Sequence, residues 1–273
     1  MTGGKAGYGT FLPGDGMKKN TYLVRAIALP AAVAAILVAL WTVVWKGGAF
    51  HPSAFPSPLA VARGFGVEIA SGRLFSDTVT SLFRVTCGFL LAVVSGIPVG
   101  IWMGQMLSAR LAFLPLTNFF RNLSPLAWMP FAILWFGVGD AASIFLIFLS
   151  VFFPLVLATM AAVGTIPLVY FHVAQNYGLR RVEKLTRVTL PAIMPQVITT
   201  LRVTAGVAWL VDVAAEMIAG RDGLGFAVMD ARNGLRTDLL VVEMIVIGII
   251  GVLIDRVLVQ LTTVPSVRWG YQR

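Results

Sequence analysis

Two carboxylates stand where carboxylates are costly. Asp212 and Glu216 lie in WLVDVAAEMIAG, inside a long apolar segment, one helical turn apart and on one face. Such acids within a membrane span face a water path, carry protons, or pair with a buried base. The other reactive types are sparse. Cys87 is the sole cysteine, so no internal disulfide can form. His51 and His172 are the only histidines and lie far apart, which leaves no metal cluster. There is no Gly-Lys-Ser/Thr phosphate loop, so ATP hydrolysis by this chain is not expected. No nucleophile–base pair is evident, and a membrane enzyme ranks behind a transport protein.

A second candidate is polar and basic. The stretch FHVAQNYGLRRVEKLTRVTLPAIMP at 171–195 separates two hydrophobic segments and carries Arg180, Arg181, Lys184 and Arg187. Val182, Leu185 and Val188 recur at three-residue steps opposite Arg180, Lys184 and Arg187, a helical pattern. Glu183 precedes Arg187 by four residues, a weakly supportive pair. Gly178 suits a helix end that needs positive φ, and Pro191 and Pro195 suit the start of the next helix. The stretch therefore reads as helix, sharp turn, helix on the inner membrane face. It can serve as an interfacial anchor or as a docking element.

The elements that position these residues follow from composition. The 273 residues are 58% hydrophobic and 12% charged, against about a quarter charged in soluble domains. This is an integral membrane protein. Its net charge of +9 reflects basic cytoplasmic loops and does not argue for nucleic acid. Hydrophobic runs predict six transmembrane helices, near 26–45, 82–106, 111–136, 141–163, 197–218 and 239–261. Residues 1–21, with Lys5, Lys18 and Lys19, read as a flexible cytoplasmic tail, and 22–273 as one transmembrane domain. Basic residues at both ends, including Arg25, Arg268 and Arg273, place the N- and C-termini in the cytoplasm. Residues 50–81 and 220–238 then lie outside and 165–192 inside. SGIPVG at 95–100 offers small residues for close helix packing. Pro125 and Pro130 interrupt the third span and supply kinks.

Three segments resemble a known family. HVAQNYG followed by LRRVEKLTRVTLP is similar to the cytoplasmic loop of bacterial ABC importer permeases: Glu-Ala-Ala, three variable residues and Gly, then the Pro of a Leu-Pro pair thirteen residues later. Ala174, Gly178, Leu190 and Pro191 fall on that pattern. His172 stands at the family's Glu and Val173 at its first Ala. The run SPLAWMPFAILWFGVGD resembles the family's proline-rich third span and points to the subgroup importing nitrate, sulfonates, taurine or bicarbonate. Glu216 matches an Ala-Glu-Met/Leu segment, and GLGF at 223–226 matches too; Asp212 has no counterpart.

The resemblance implies an all-α, six-span, type I (MetI-like) importer permease in the bacterial inner membrane, carrying a small oxyanion by alternating access. It implies a second permease copy, two cytoplasmic ATPase subunits that hold ATP and Mg, and a periplasmic or lipid-anchored substrate-binding protein. The chain itself would carry no cofactor. His172, Val173, Ala174, Tyr177, Gly178, Arg181, Leu190 and Pro191 would form the coupling loop to the ATPase. Asn122, Trp128, Trp209, Asp212 and Glu216 are the candidates for the translocation pathway. The alternative is a proton-coupled secondary transporter using Asp212 and Glu216, which leaves the Gly…Leu-Pro loop without a purpose.

Overall fold

The computed structural model describes residues 16–48, 51 and 54–261, the side chains of 16–27 and 261 apart. Lys5, Arg268 and Arg273 lie outside the described residues. The described chain is helical, without a strand among the described residues. It forms two compact units that divide between Ala60 and Val61.

The first unit is built on α1 (Gly16–Lys46), which starts inside the stretch expected as tail. Its apolar side chains over 28–46 are nearly all exposed, as suits a helix facing lipid. Near its end, Trp41 donates its indole N–H to the Pro56 carbonyl at 3.0 Å.

The second unit begins within α2 (Pro58–Ser71) and continues through α3 (Arg73–Gln105), α4 (Leu107–Asn122), α5 (Met129–Phe136) and α6 (Asp140–Gly164). It ends with α7 (Leu168–Asn176), α8 (Arg181–Lys184), α9 (Leu190–Ala219), α10 (Leu224–Asn233) and α11 (Thr237–Leu261). A five-residue π-helical stretch, Leu185–Thr189, joins α8 to α9 without a break. Among the described residues, five helices are long and apolar enough to cross a membrane.

The third expected span, 111–136, is not one kinked helix. α4 stops at Asn122, Leu123 is extended, and Pro125 opens a single 3-10 turn (Pro125–Trp128). Pro130 then sits in the first turn of α5. Proline has no N–H to donate, so it is tolerated where a helix begins. The two prolines start new elements here instead of bending an old one.

Small residues set the tightest contact. Along α3, a Cβ on Gly88 would stand 2.7 Å from Ile147, one on Gly100 2.6 Å from Thr159, and one on Gly104 2.6 Å from Val163. These pairs keep one register, so α3 and α6 run parallel. The intervening α4–α5 segment must therefore carry the chain back along the bundle. Close approach through glycines is how helices gain packing where lipid supplies no hydrophobic drive. α9 runs antiparallel to both. Ala208 and Trp209 join Val85, Ala92, Ile147, Val151, Leu155, Val246 and Ile250 in the main core cluster. Nearer the start of α9, Ile193 and Val197 pack with Ile101 and Val163.

Candidate functional site

At the C-terminal end of α9 the structure builds an ionic knot. Arg84 of α3 is 1% exposed, and it is surrounded by carboxylates from three directions. Its Nη1 donates to Glu216 Oε1 at 2.7 Å and to the Asp222 carbonyl at 3.0 Å. Its Nε donates to Asp140 Oδ1 at 2.7 Å, and Nη2 pairs with the Asp222 carboxylate. Asp140 opens α6, where a carboxylate also favours the helix N-terminus. One guanidinium thus ties α3, α6, α9 and the turn after α9.

Glu216, 1% exposed, is equally saturated. It accepts the Ser81 hydroxyl at 2.8 and 2.9 Å and the Gly225 N–H at 2.9 Å. Ser81 Oγ in turn accepts the Leu224 N–H at 3.0 Å, and Asp77 accepts the Gly223 N–H at 3.2 Å. GLGF is therefore the segment whose backbone amides close the cluster, Gly225 on Glu216, Leu224 on Ser81 and Gly223 on Asp77. Gly223 has φ +95, and a Cβ there would fall on that carboxylate. Two separate demands, positive φ and room for the acid, call for glycine.

Asp212 is different. It is 0% exposed, one turn before Glu216, and neither carboxylate oxygen has a hydrogen-bond partner among the described residues. The paired acids of the sequence are thus one bonded group and one bare one. The other pathway candidates scatter. Trp209 is buried and donates its indole N–H to the Ile247 carbonyl at 3.1 Å, pinning α9 to α11. Trp128 sits half-buried among rings, with Phe120, Phe131 and Trp135 centroids at 6.1, 5.9 and 6.3 Å. Asn122 is exposed at the end of α4.

At the other end of α9 lies the loop. α7 closes with Gly178 at φ +70. The Gly178 N–H donates to the Gln175 carbonyl at 2.9 Å and the Leu179 N–H to the Ala174 carbonyl at 3.0 Å. This double closure is the Schellman pattern, which requires the left-handed residue. The Arg180 N–H then donates to the Glu183 carboxylate at 2.8 Å, capping α8. Ala174 is buried beneath the turn, while His172, Val173, Tyr177 and Arg181 are exposed. Tyr177 is 82% exposed and Val182 70%, so the stripe of Val182, Leu185 and Val188 is not fully covered by the chain. Between the two helical arms opens an apolar groove of about 500 Å3, lined by Tyr170, Val173, Tyr177, Val188 and Pro191 with Arg187 beside them. Leu190 and Pro191 begin α9 directly above it.

Sequence reasoning singled out Glu216 but not its partners Arg84, Ser81, Asp140 and Asp222. Arg84 reads in the sequence as a base near a span end. The signal for it was the demand itself: a buried acid with no lysine or arginine on its own helix face needs one from another.

Long apolar helices, a buried ionic tie at one end and an exposed helical turn at the other define a multi-pass, all-α membrane subunit. Residues 96–263 match the family of the binding-protein-dependent transport system inner membrane component. The chain belongs to that family of ABC permeases, and it is a multi-pass protein of the inner membrane. It is 35% identical over 239 residues to the taurine transport system permease protein of Escherichia coli strain K12, covering 85% of this chain and 86% of that one. It is 33% identical over 258 residues to the bicarbonate transport system permease protein of Synechococcus elongatus, covering 89% and 90%. Its fold is similar to that of the MetNI methionine ABC transporter in an inward facing conformation, with TM-score 0.57 at 18% identity over 70% of this chain and 97% of that chain.

Proposed function

We propose that this chain is the membrane pathway of an importer for a small oxyanion of the nitrate, sulfonate, taurine or bicarbonate class, driven by a separate ATPase. The observation that carries this reading is the loop between α6 and α9. It presents an apolar groove and a rigid, glycine-closed turn to solvent, at the root of a helix that runs the length of the bundle. A partner that seats in the groove and moves with its nucleotide state would push on α9. α3, α6 and α10 would follow, because the Arg84–Glu216 knot binds them to the far end of the same helix. Two permease copies would enclose the pathway, and a substrate-binding protein would deliver the anion at the end opposite the ATPase.

Asp212 is the observation that favours the proton-coupled alternative, since a bare buried carboxylate can hold a proton. Against it, Glu216 is already committed to Arg84, Ser81 and Gly225. The test is uptake into proteoliposomes carrying the co-purified complex, on a panel of nitrate, bicarbonate, taurine and an alkanesulfonate. Uptake of one of these with ATP and no proton gradient is the expected result. Uptake driven by the gradient without ATP overturns the reading. Orientation is tested by impermeant thiol labelling. A cysteine at Arg232 should react from outside, and one at Arg181 only after permeabilisation.

A further inference from the structure

A second cluster of charge lies at the knot's end of the bundle and touches the knot only through the Arg73–Asp77 pair. The N-terminal halves of α3 and α11, the end of α2 and α10 enclose a cavity of about 180 Å3 lined by Glu68, Arg73, Asp230, Arg236 and Glu243. Its mouth is wet: the Asp230 and Arg236 side chains are half exposed. Its floor is not. Glu68 is 5% exposed and Glu243 2%, and each has one carboxylate oxygen, Oε2, without a hydrogen-bond partner among the described residues.

The two arginines do not answer these acids. Arg73 is turned to Asp230 at 2.7 Å and to Asp77 at 3.4 Å, and Arg236 is held by Asp238 at 3.3 Å. Three carboxylates against two guanidiniums leave the lining one positive charge short. A buried acceptor without a donor is costly, and a buried acid without a counter-charge more so. A component that carries one positive charge and donates hydrogen bonds would meet both demands. Among the described residues no three His, Cys, Asp or Glu converge as metal ligands, so a coordinated ion is the poorer fit. An ammonium needs only acceptors at suitable angles, and the cavity has room for a short carbon chain behind it.

We propose that this cavity binds a small organic ammonium, its N–H groups donating to Glu68 Oε2 and Glu243 Oε2. Its lining shares no residue with the pathway candidates or with the docking loop.

The test uses the full-length chain in nanodiscs, with thermal unfolding followed in ethylammonium, tetramethylammonium or sodium chloride at equal concentration and neutral pH. Ethylammonium should raise the transition by about 2–4 °C at a tenfold excess over its Kd. Tetramethylammonium has the charge but no N–H, and it should not. Glu243→Gln should remove the ethylammonium shift. Glu68→Gln should also weaken it, which covers the case in which Glu243→Gln does not fold. Asp255→Asn, remote from the cavity, should keep it. Equal shifts with all three salts, a sodium-selective shift, or stabilisation by acid with no ethylammonium effect would each overturn the assignment.

Discussion

The two ends of α9 obey opposite rules. At Glu216 both carboxylate oxygens find partners within the chain: the Arg84 guanidinium, the Ser81 hydroxyl and the Gly225 amide converge on them. Around Gly178 the backbone is closed, but Tyr177 and Val182 point outward and the groove between the arms is apolar. A buried charge has to be satisfied internally, whereas an exposed apolar surface rimmed by bases marks a contact with something else. The first end therefore keeps the fold, and the second is the surface that the proposed function assigns to a partner. An acid inside a span is thus not in itself evidence of a pathway. What separates a pathway acid from a structural one is whether its oxygens are already used, and on that criterion Asp212 and Glu216 part company.

The comparison is broken most directly at the knot. Glu216→Gln removes the charge that faces a buried Arg84 and loses an acceptor shared by Ser81 and Gly225. Breaking one partner of a buried pair costs about 3–5 kcal/mol. Expected is a sharp fall in thermal stability and in recovery of monodisperse protein from detergent. Normal assembly with transport alone abolished would instead assign Glu216 to the pathway. The α3–α6 seam comes next. Gly100→Leu drives a side chain into Thr159 and the Val156 carbonyl. Overpacking of this kind costs about 1–3 kcal/mol. A lowered unfolding temperature should appear in thermal denaturation of the purified protein.

The helices were legible because apolar runs of span length have few other solutions in a membrane protein. The turn at Gly178 was legible for a similar reason. Positive φ is written in the sequence by glycine, and the flanking arms by helical spacing. The knot was only half legible. Glu216 stood out as a charge in an apolar run. Arg84 and Asp140 lie on other helices, and nothing local tells which base meets which acid. The third span misled because proline reads alike whether it bends a helix or starts one; only the extended Leu123 before Pro125 decides between them. The Glu68–Glu243 cavity could not be read at all, since its two acids lie on helices α2 and α11, at opposite ends of the described unit.

At the loop the comparison is sharpened by a change small in stability and large in coupling. Gly178→Val places a β-branched side chain at φ +70, where nothing crowds it but the backbone itself is strained by about 1 kcal/mol or more. The knot and the seam are untouched, so the spans should stay inserted and unfolding should shift little. ATP-driven uptake should fail all the same, with the ATPase either lost on purification or retained and uncoupled. Full uptake would reduce the loop to an interfacial anchor.

The smallest effects are expected from the loop's charges. His172 and Arg181 are exposed, and among the described residues no side-chain hydrogen bond or ion pair of theirs supports the turn, which closes through backbone groups and Glu183. Surface changes away from such features alter stability by no more than about 0.5 kcal/mol. His172→Glu, which restores the family's residue, and Arg181→Ala should therefore unfold with the unchanged protein. They differ in what they do to a partner. Glutamate at 172 adds a negative charge to a basic loop, and alanine at 181 removes a positive one, so both lower the positive field around the groove. If the groove and the turn dominate docking, ATPase retention survives both changes and its salt dependence flattens only slightly. If the basic face dominates, both variants shed the ATPase at moderate salt while Gly178→Val holds it. That reversal would put the docking free energy in long-range charge and not in shape, and the loop would then differ from the knot only in where its counter-charges reside.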